Sequence, residues 1–285
     1  MKMQANTWGV ALAIASALAM AALDFVLSAD EEIHKTLRFS DEAKSRHFII
    51  DNIYGSITVR GYDGREVVAE IRKTIEASTE SERDRAEKEV SIEIEEGGDK
   101  VELFVDGPFR EKDGRRCHRV DYSVRYDFDV RLPFDTELTV RTVNDGRIAV
   151  SDHRGDFHVS NVNGSITMES IAGSGEAHTV NGSVKVDFSR DPSGSCSFKT
   201  INGDLEASFG DSLSADFHLK TFNGSIYSDY ESTMRPQPPV RAEREGARFV
   251  YKSSRFGNIR IGKGGAEITM DTLNGDILIA NRKAR

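Results

Sequence analysis

The sequence predicts an all-β protein in which an N-terminal β region with one short helix runs into a β-solenoid, a stack of coils like those of a β-helix. Three observations support this fold class. A short Asn-Gly phrase returns at a nearly constant period, apolar and polar residues alternate around each copy, and turn residues separate the alternating runs.

The repeated phrase consists of Asn, Gly, a small or acidic residue, and then a β-branched residue or Leu. Successive asparagines from Asn163 to Asn223 lie 18, 21 and 21 residues apart, a period typical of stacked β architectures. Because Asn tolerates the left-handed region and Gly adopts positive φ freely, each pair is predicted to turn the chain. The predicted turn residues are Asn144 and Gly146 in a looser first copy, then Asn163, Gly164, Asn181, Gly182, Asn202, Gly203, Asn223, Gly224, Asn274 and Gly275.

The residues six and four positions before each Asn are predicted to face inward, because most are apolar and they alternate with polar ones. Thr stands two positions before the Asn in five of the six copies. Stacked coils would place these threonines in a column where Thr pairs can hydrogen-bond across strands. A meander of ordinary hairpins is the alternative. It explains each turn but not the shared inward positions, which are Leu138, Val140, Phe157, Val159, Gly175, Ala177, Cys196, Phe198, Phe217, Leu219, Ile268 and Met270.

Residues 1–29 are predicted to be a secretory signal peptide. Lys2 leads into an apolar stretch from Trp8 to Leu23, and small residues suited to cleavage follow at 19–21 or 27–29. An uncleaved anchor is the alternative, although Asp24 shortens the apolar run below the ~20 residues that a span needs. We therefore expect an exported chain in the periplasm, at the cell surface or secreted, without a transmembrane segment after signal removal.

Residues 30–135 are predicted to form an N-terminal β region of short alternating runs. One helix is expected near residues 80–89, where Thr79 and Glu82 have the spacing of a capping box. The clearest single strand runs from Val120 to Leu132 and ends at Pro133.

Residues 136–282 are predicted to form the solenoid, with an insertion at about 228–265. Asn223 and Asn274 are 51 residues apart where about 20 is expected. Within this interval, the sequence from Arg255 to Ile259 is interpreted as a degenerate copy of the phrase.

Composition argues against a polyanionic partner. The chain has 38 Lys and Arg against 47 Asp and Glu, a net charge of −9, so we expect no nucleic-acid binding. The two cysteines, Cys117 and Cys196, allow one disulfide. Two unpaired cysteines are favoured, because Cys196 occupies an inward position where it would serve as a small buried hydrophobe.

Catalytic motifs are absent from the sequence. It contains no G-x-S-x-G, H-E-x-x-H, P-loop or C-x-x-C, so we predict no enzyme activity, catalytic residue or cofactor. His158, Glu176 and His178 fall on adjacent outward columns and form a weak candidate metal site. A solvated strand face is the favoured explanation for these three residues.

A polysaccharide-cleaving enzyme built on a β-helix would need a groove with closely placed carboxylates. The outward acids of this chain are scattered rather than paired, which places this hypothesis last. The acids considered are Glu169, Asp187, Glu206 and Asp229.

Several of these features together resemble a known bacterial family. They are the strand with Gly55-Ser56-Ile57-Thr58-Val59, a charged helix, a long strand ending in Arg131-Leu132-Pro133, and repeated Thr-x-Asn-Gly phrases. This order, over roughly residues 45 to 282, is similar to the putative adhesin family with the DUF4097 domain. The resemblance implies an exported, repeat-built β domain and supplies no functional residues.

The function predicted from these observations is that of a non-enzymatic cell-envelope protein of adhesin type. It would bind a surface glycan or an envelope protein through the solenoid faces. An envelope-stress sensor or periplasmic scaffold is the alternative. An uncovered strand edge at the end of the solenoid also predicts self-association.

Overall fold

The fold comes from a computed structural model, which describes residues 27–40, 45–110, 120–234, 242–245, 248–251 and 256–284. The predicted signal peptide lies outside these residues, except that Leu27, Ser28 and Ala29 begin the first strand. Among the described residues, no helix is both long enough and apolar enough to cross a membrane.

The chain is built almost entirely of short strands. The elements up to residue 133 are β1 (Leu27–Arg38), β2 (His47–Asp51), β3 (Ile57–Tyr62), β4 (Glu66–Ala77), α1 (Glu80–Glu89), β5 (Ser91–Gly97), β6 (Lys100–Asp106) and β7 (Tyr122–Pro133). The next are β8 (Glu137–Arg141), β9 (Ile148–Ser151), β10 (Phe157–Ser160), β11 (Ile166–Ile171), β12 (Gly175–His178), β13 (Val184–Phe188), β14 (Cys196–Asn202), β15 (Leu205–Phe209), β16 (Ala215–Asn223) and β17 (Ile226–Ser228). The last are β18 (Ser232–Met234), β19 (Ala242–Glu245), β20 (Arg248–Tyr251), β21 (Phe256–Ile261), β22 (Ala266–Asn274), β23 (Ile277–Asn281) and the 3₁₀ turn Arg282–Ala284.

Two long sheets face each other. Sheet 1 has the order β1-β4-β7-β3-β9-β11-β13-β15-β23-β17, and sheet 2 has the order β18-β21-β16-β22-β14-β12-β10-β8-β2-β6-β5. Their inner strands are parallel and in register, as where Phe157 lies between Leu138 and Gly175. The predicted β-solenoid is therefore confirmed. Strands β19 and β20 form a separate antiparallel pair.

Each coil of the solenoid is one strand of sheet 2, a turn, and one strand of sheet 1. In spatial order the coils are β2–β3, β8–β9, β10–β11, β12–β13, β14–β15, β22–β23 and β16–β17. The first of these coils lies within the predicted N-terminal region, so the parallel stack begins before residue 136. The division of the chain into domains stays a prediction.

The last two coils are stacked in the reverse of their chain order. After β15 the chain builds β16–β17 one coil further along, and it later returns to place β22–β23 in the gap. This return explains the 51-residue interval between Asn223 and Asn274. Residues 256–259, which belong to the sequence interpreted as a degenerate copy of the phrase, do not form the turn of a coil, because they lie in β21, an antiparallel strand in which Gly257 pairs with Leu219. Arg255 lies outside the described residues.

The hydrophobic core lies between the two sheets, and the inward positions predicted from the alternation are buried. Gly175 is the exception, since it is half-buried. Aromatic side chains fill the core towards the C-terminal end. The rings of Phe188 and Phe209 stack with centroids 5.0 Å apart, and Phe217 meets Phe209 edge-on at 5.9 Å. Such pairs stabilise the core by about 0.5–1.5 kcal/mol beyond the apolar area that they bury.

The N-terminal end of the stack is covered. Strands β7, β4 and β1 extend sheet 1, with β4 antiparallel to both neighbours, and β6 and β5 extend sheet 2. Helix α1 packs on β4 and β7 through Ala86, and it begins with the predicted capping box between Thr79 and Glu82. Strand β1 was not predicted, because only Ile33 and Leu37 mark its apolar side.

Candidate functional site

The asparagines of the repeated phrase form a ladder along one edge of the rod. After the first, the Nδ2 of each donates to the Oδ1 of the Asn in the coil before it in the stack, at 2.7–2.8 Å. In spatial order the ladder is Asn144, Asn163, Asn181, Asn202, Asn274 and Asn223. Ladders of this kind add hydrogen bonds between coils to those of the backbone.

The glycines of the phrase form a second column in which each approaches the backbone of the neighbouring coil closely, and Gly203 and Gly275 also have positive φ, 155° and 158°. A Cβ on Gly164 would lie 2.0 Å from the carbonyl oxygen of Gly146, and one on Gly182 would lie 2.4 Å from that of Gly164. Among the described non-glycine residues, positive φ occurs at Asp145, Asp152 and Ser170. The prediction that the repeat asparagines turn the chain through the left-handed region is therefore wrong.

The threonine column is present, but its partner is not the one predicted. Each hydroxyl donates to a Gly carbonyl of the preceding coil instead of to another Thr. Thr179 donates to Gly164 at 2.9 Å, and Thr200 donates to Gly182 at 2.8 Å. The same contact recurs at Thr142, Thr272 and Thr221, and Asn161 makes it through its side-chain amide. Thr, Asn and Gly of the phrase thus form one interlocked set that holds neighbouring turns together.

A row of apolar side chains runs beside this ladder, and sequence analysis missed it. The residue between the Thr and the Asn of each phrase is apolar in every copy. In spatial order the apolar row is Val143, Val162, Val180, Ile201, Leu273 and Phe222. The three valines are half-buried, whereas Ile201, Leu273 and Phe222 are 44%, 47% and 58% exposed. The sequence signal for this row is the apolar residue directly before each Asn, at a position that the alternation assigns to the outward face of the strand.

The larger members of the apolar row line a groove on sheet 2 with a volume of about 670 Å³. Charged side chains surround them. Lys220 and Asp271 form an ion pair at 3.4 Å, and Lys199 is exposed beside them. The remaining lining residues are Glu176, His178, Thr179, Val180, Ser197, Thr200 and Thr272. An apolar floor with a charged rim is typical of binding surfaces in proteins.

The predicted metal-site residues lie on sheet 2 in two separate pairs. The Nδ1 of His158 is 3.2 Å from the Oε1 of Glu176, and the Nε2 of His178 is 3.1 Å from the Oγ of Ser160. His158 and His178 therefore contact different side chains and do not share Glu176 as a common partner. Over the described ranges, no cluster of three or more His, Cys, Asp or Glu residues is suited to a metal ion.

The outward acids considered for polysaccharide cleavage are dispersed over sheet 1 and its end. Asp187 lies 3.3 Å from the Nε of Arg282, and Glu206 lies 3.3 Å from the Nζ of Lys185. Asp229 accepts a hydrogen bond from the backbone N–H of Asn281, and Glu169 is exposed on β11. These contacts tie three of the four carboxylates to cations or to backbone.

Burial shifts the pKa of one cysteine and one histidine inside the solenoid. Burial raises the pKa of the Cys196 thiol to about 11, and this thiol is free. Its inward position is confirmed, whereas Cys117 lies outside the described residues. Burial also lowers the pKa of His153, which is fully buried and has its Nε2 3.4 Å from the carbonyl oxygen of Asp156.

Comparison with known proteins gives two distant structural similarities. No family model matches the chain, and no curated protein matches it. One similar structure is a "putative cell adhesion protein" from Clostridium sporogenes, with 10% identity over 89% of this chain and 100% of that one, and a TM-score of 0.43. Another is a "putative lipid binding protein" from Parabacteroides distasonis, with 9% identity over 88% of this chain and 96% of that one, and a TM-score of 0.29.

Proposed function

We propose that this chain is an exported, non-enzymatic protein of the cell envelope, of adhesin type, that binds a surface glycan or an envelope protein along the side of its rod. The observation that carries this proposal is the apolar row. The binding surface is the groove on sheet 2 in which the row becomes most exposed, around Ile201, Leu273 and Phe222.

The apolar row is not required by the turn that it accompanies. The interlocking side-chain contacts between coils use the Thr hydroxyl, the Asn amide and the Gly carbonyl. The residue between Thr and Asn takes part only through its backbone, as where the carbonyl oxygen of Val162 accepts from the N–H of Asn181 at 2.8 Å. A polar side chain could therefore stand at this position without loss of a hydrogen bond. An apolar residue in all six copies instead builds a continuous surface, with one side chain per coil at a spacing of about 4.8 Å.

The geometry of the groove suits an extended partner that lies along the rod axis. Successive coils repeat the same surface, so a partner with its own repeat could contact several coils at once. The apolar side chains would bury area against it, and the charged rim of Lys199, Lys220 and Asp271 would orient its polar groups. Both a polysaccharide and an extended protein segment have this form.

Self-association is also part of the proposal, and we place it at the C-terminal end of the solenoid. Sheet 1 ends there in β17, whose three residues are all exposed. The backbone groups of this short uncovered edge could pair with those of a second copy.

The test is co-sedimentation of the purified exported chain with isolated envelope fractions. The informative variant is Phe222→Ser, and Tyr227→Ser is its matched control. Both rings belong to the same coil, at 58% and 53% exposure, but Tyr227 lies on sheet 1. An aromatic anchor of a binding surface contributes about 2 kcal/mol, so Phe222→Ser should weaken saturable binding roughly thirtyfold.

The outcomes separate the candidate functions. Saturable binding that Phe222→Ser weakens and Tyr227→Ser leaves unchanged would support the proposal, and glycan digestion of the fraction would then distinguish a glycan from a protein. Saturable binding that both variants leave unchanged would refute the groove as the site. No binding to any fraction would refute envelope binding and favour the sensor or scaffold hypothesis, with a soluble partner.

A further inference from the structure

The chain contains five Asn-Gly pairs, a sequence in which the glycine nitrogen can reach the side-chain carbonyl carbon of the Asn with little steric hindrance. We infer that Asn223 is a modification site, at which the folded chain deamidates and forms isoaspartate, while the other four pairs are protected by the solenoid. The five pairs are Asn163-Gly164, Asn181-Gly182, Asn202-Gly203, Asn223-Gly224 and Asn274-Gly275.

The protected pairs are held from both sides of the stack. In each of them the Gly N–H donates to the carbonyl oxygen of the Asn in the next coil, as Gly182 does to Asn202 at 2.9 Å. The Asn side chain is fixed as well, since Asn202 donates to Asn181 and accepts from Asn274, each at 2.8 Å. Attack of the Gly nitrogen on the Asn side chain would require both sets of hydrogen bonds to break.

Asn223 occupies the last position of the ladder, where half of these bonds are missing. Its Nδ2 donates to Asn274 at 2.7 Å, but among the described residues no further coil stacks on this one to donate to its Oδ1. In the part of the chain that the structure describes, the N–H of Gly224 has no acceptor. Gly224 is exposed, whereas the glycines of the other four pairs are half-buried.

The opposite end of the ladder does not offer the same chemistry. There the first asparagine, Asn144, is followed by Asp145 rather than Gly. A side chain on this following residue hinders the attack that a Gly permits. Of the two ends of the ladder, only the end at Asn223 therefore has an Asn-Gly pair.

The reaction needs only water as a co-reactant. The backbone nitrogen of Gly224 forms a bond to the Cγ of Asn223, the bond from Cγ to Nδ2 breaks, and the Gly N–H proton leaves with the amide as ammonia. Water then opens the cyclic imide at either of its two carbonyl carbons. One opening gives Asp and the other gives isoaspartate, and no oxidation or reduction occurs.

The experiment is a time course of the intact folded chain in mildly alkaline buffer, followed by digestion and mass spectrometry of the five Asn-Gly peptides. Isoaspartate is detected separately by enzymatic methylation of its α-carboxyl group. Asn181 is the matched internal control, because the same residues, Gly and Ser, follow it and Asn223. Each hydrogen bond that Asn223 lacks corresponds to about fivefold, so two predict a rate roughly twenty-five times that of Asn181.

Two further samples test whether the fold, rather than the local sequence, sets the rate at Asn223. In the urea-unfolded chain, Asn223 and Asn181 should react at similar rates, since the same two residues, Gly and Ser, follow both. The variant Asn223→Gln should lose the modification from this peptide, because Gln would need a larger, more slowly formed ring. Equal rates at Asn223 and Asn181 in the folded chain, an unmodified Asn223, or the same rate ratio in urea would each overturn the inference.

Discussion

The stack of glycines makes a strong prediction for Gly182→Ala. The new Cβ would lie 2.4 Å from the carbonyl oxygen of Gly164 and 2.9 Å from the backbone N of Ser165. Both atoms belong to the backbone of the neighbouring coil, so neither can move aside as a flexible side chain would. Overpacking of this kind costs about 1–3 kcal/mol.

The shift would also strain two hydrogen bonds between coils. Gly182 donates its N–H to Asn202 at 2.9 Å and accepts from the hydroxyl of Thr200 at 2.8 Å. At about 1 kcal/mol each, their loss brings the expected decrease in the free energy of unfolding to roughly 3–5 kcal/mol. This is a large part of the about 5–15 kcal/mol that stabilises a typical protein.

Equilibrium urea unfolding followed by circular dichroism measures this change. The control is Gly97→Ala, because a Cβ on Gly97 at the end of β5 meets no atom within 4 Å. We expect the control to stay within about 0.5 kcal/mol of the wild type. If Gly182→Ala also stayed within that margin, close approach would not be the reason for glycine in the phrase.

Three further predictions concern the ladder and the core. Asn202→Ala removes one donated and one accepted ladder bond, so it should lower the free energy of unfolding by about 1–2 kcal/mol. Urea titration measures this change, and an unchanged midpoint would argue that the ladder does not stabilise the stack. In a Cys117→Ser background, the buried Cys196 thiol should react with a maleimide only after unfolding at neutral pH, and rapid native labelling would contradict its burial. Because its pKa is raised to about 11, the stability that it contributes is present below its ordinary pKa of 9.0 and is lost as the pH rises towards about 11. The pKa of His153 is lowered in the folded chain, so the stability that this group contributes is present above its ordinary pKa of 6.5 and is lost as the pH falls through the pKa of the folded state. His153→Phe should therefore unfold with less acid sensitivity than the wild type.

The sequence was sufficient to predict the inward face of the coils because the same pattern is repeated. A single alternating run such as that around Phe157 could belong to many β folds. When Phe198, Leu219 and Met270 occupy the same place relative to an Asn-Gly pair, only a stack buries all of them together. Agreement between copies therefore carried information that no individual copy has.

The order of the coils could not be obtained in this way. Because every copy has the same inward pattern, the coil with Asn274 fits equally well beside Asn202 or beyond Asn223. The 51-residue interval shows that something intervenes, but its length is compatible with a simple insertion as well as with a return. The choice depends on pairing between distant segments, such as β16 with β21 and β22, which local patterns do not specify.

The apolar row was missed for a related reason. An alternating pattern assigns each residue to the inward or the outward face of its strand, and it assigns the residue before each Asn to the outward face. Val143 and Phe222 therefore appeared as isolated exposed residues, which are common on protein surfaces. Only the vertical stacking of the coils makes them neighbours.

The exchanged order of the last two coils determines which apolar residue lies at the C-terminal end of the rod. In chain order the row would end with Phe222 followed by Leu273, but in space Phe222 is the outermost member. The most exposed apolar side chain of the proposed binding surface is thus adjacent in sequence to Asn223, the last residue of the ladder. Deamidation would place a carboxylate on the residue that follows Phe222, at the edge of the proposed binding surface, and a desolvated charge opposes apolar contact. If both proposals hold, aged protein should bind its envelope partner more weakly than fresh protein, and Asn223→Gln should retain the fresh affinity after the same incubation.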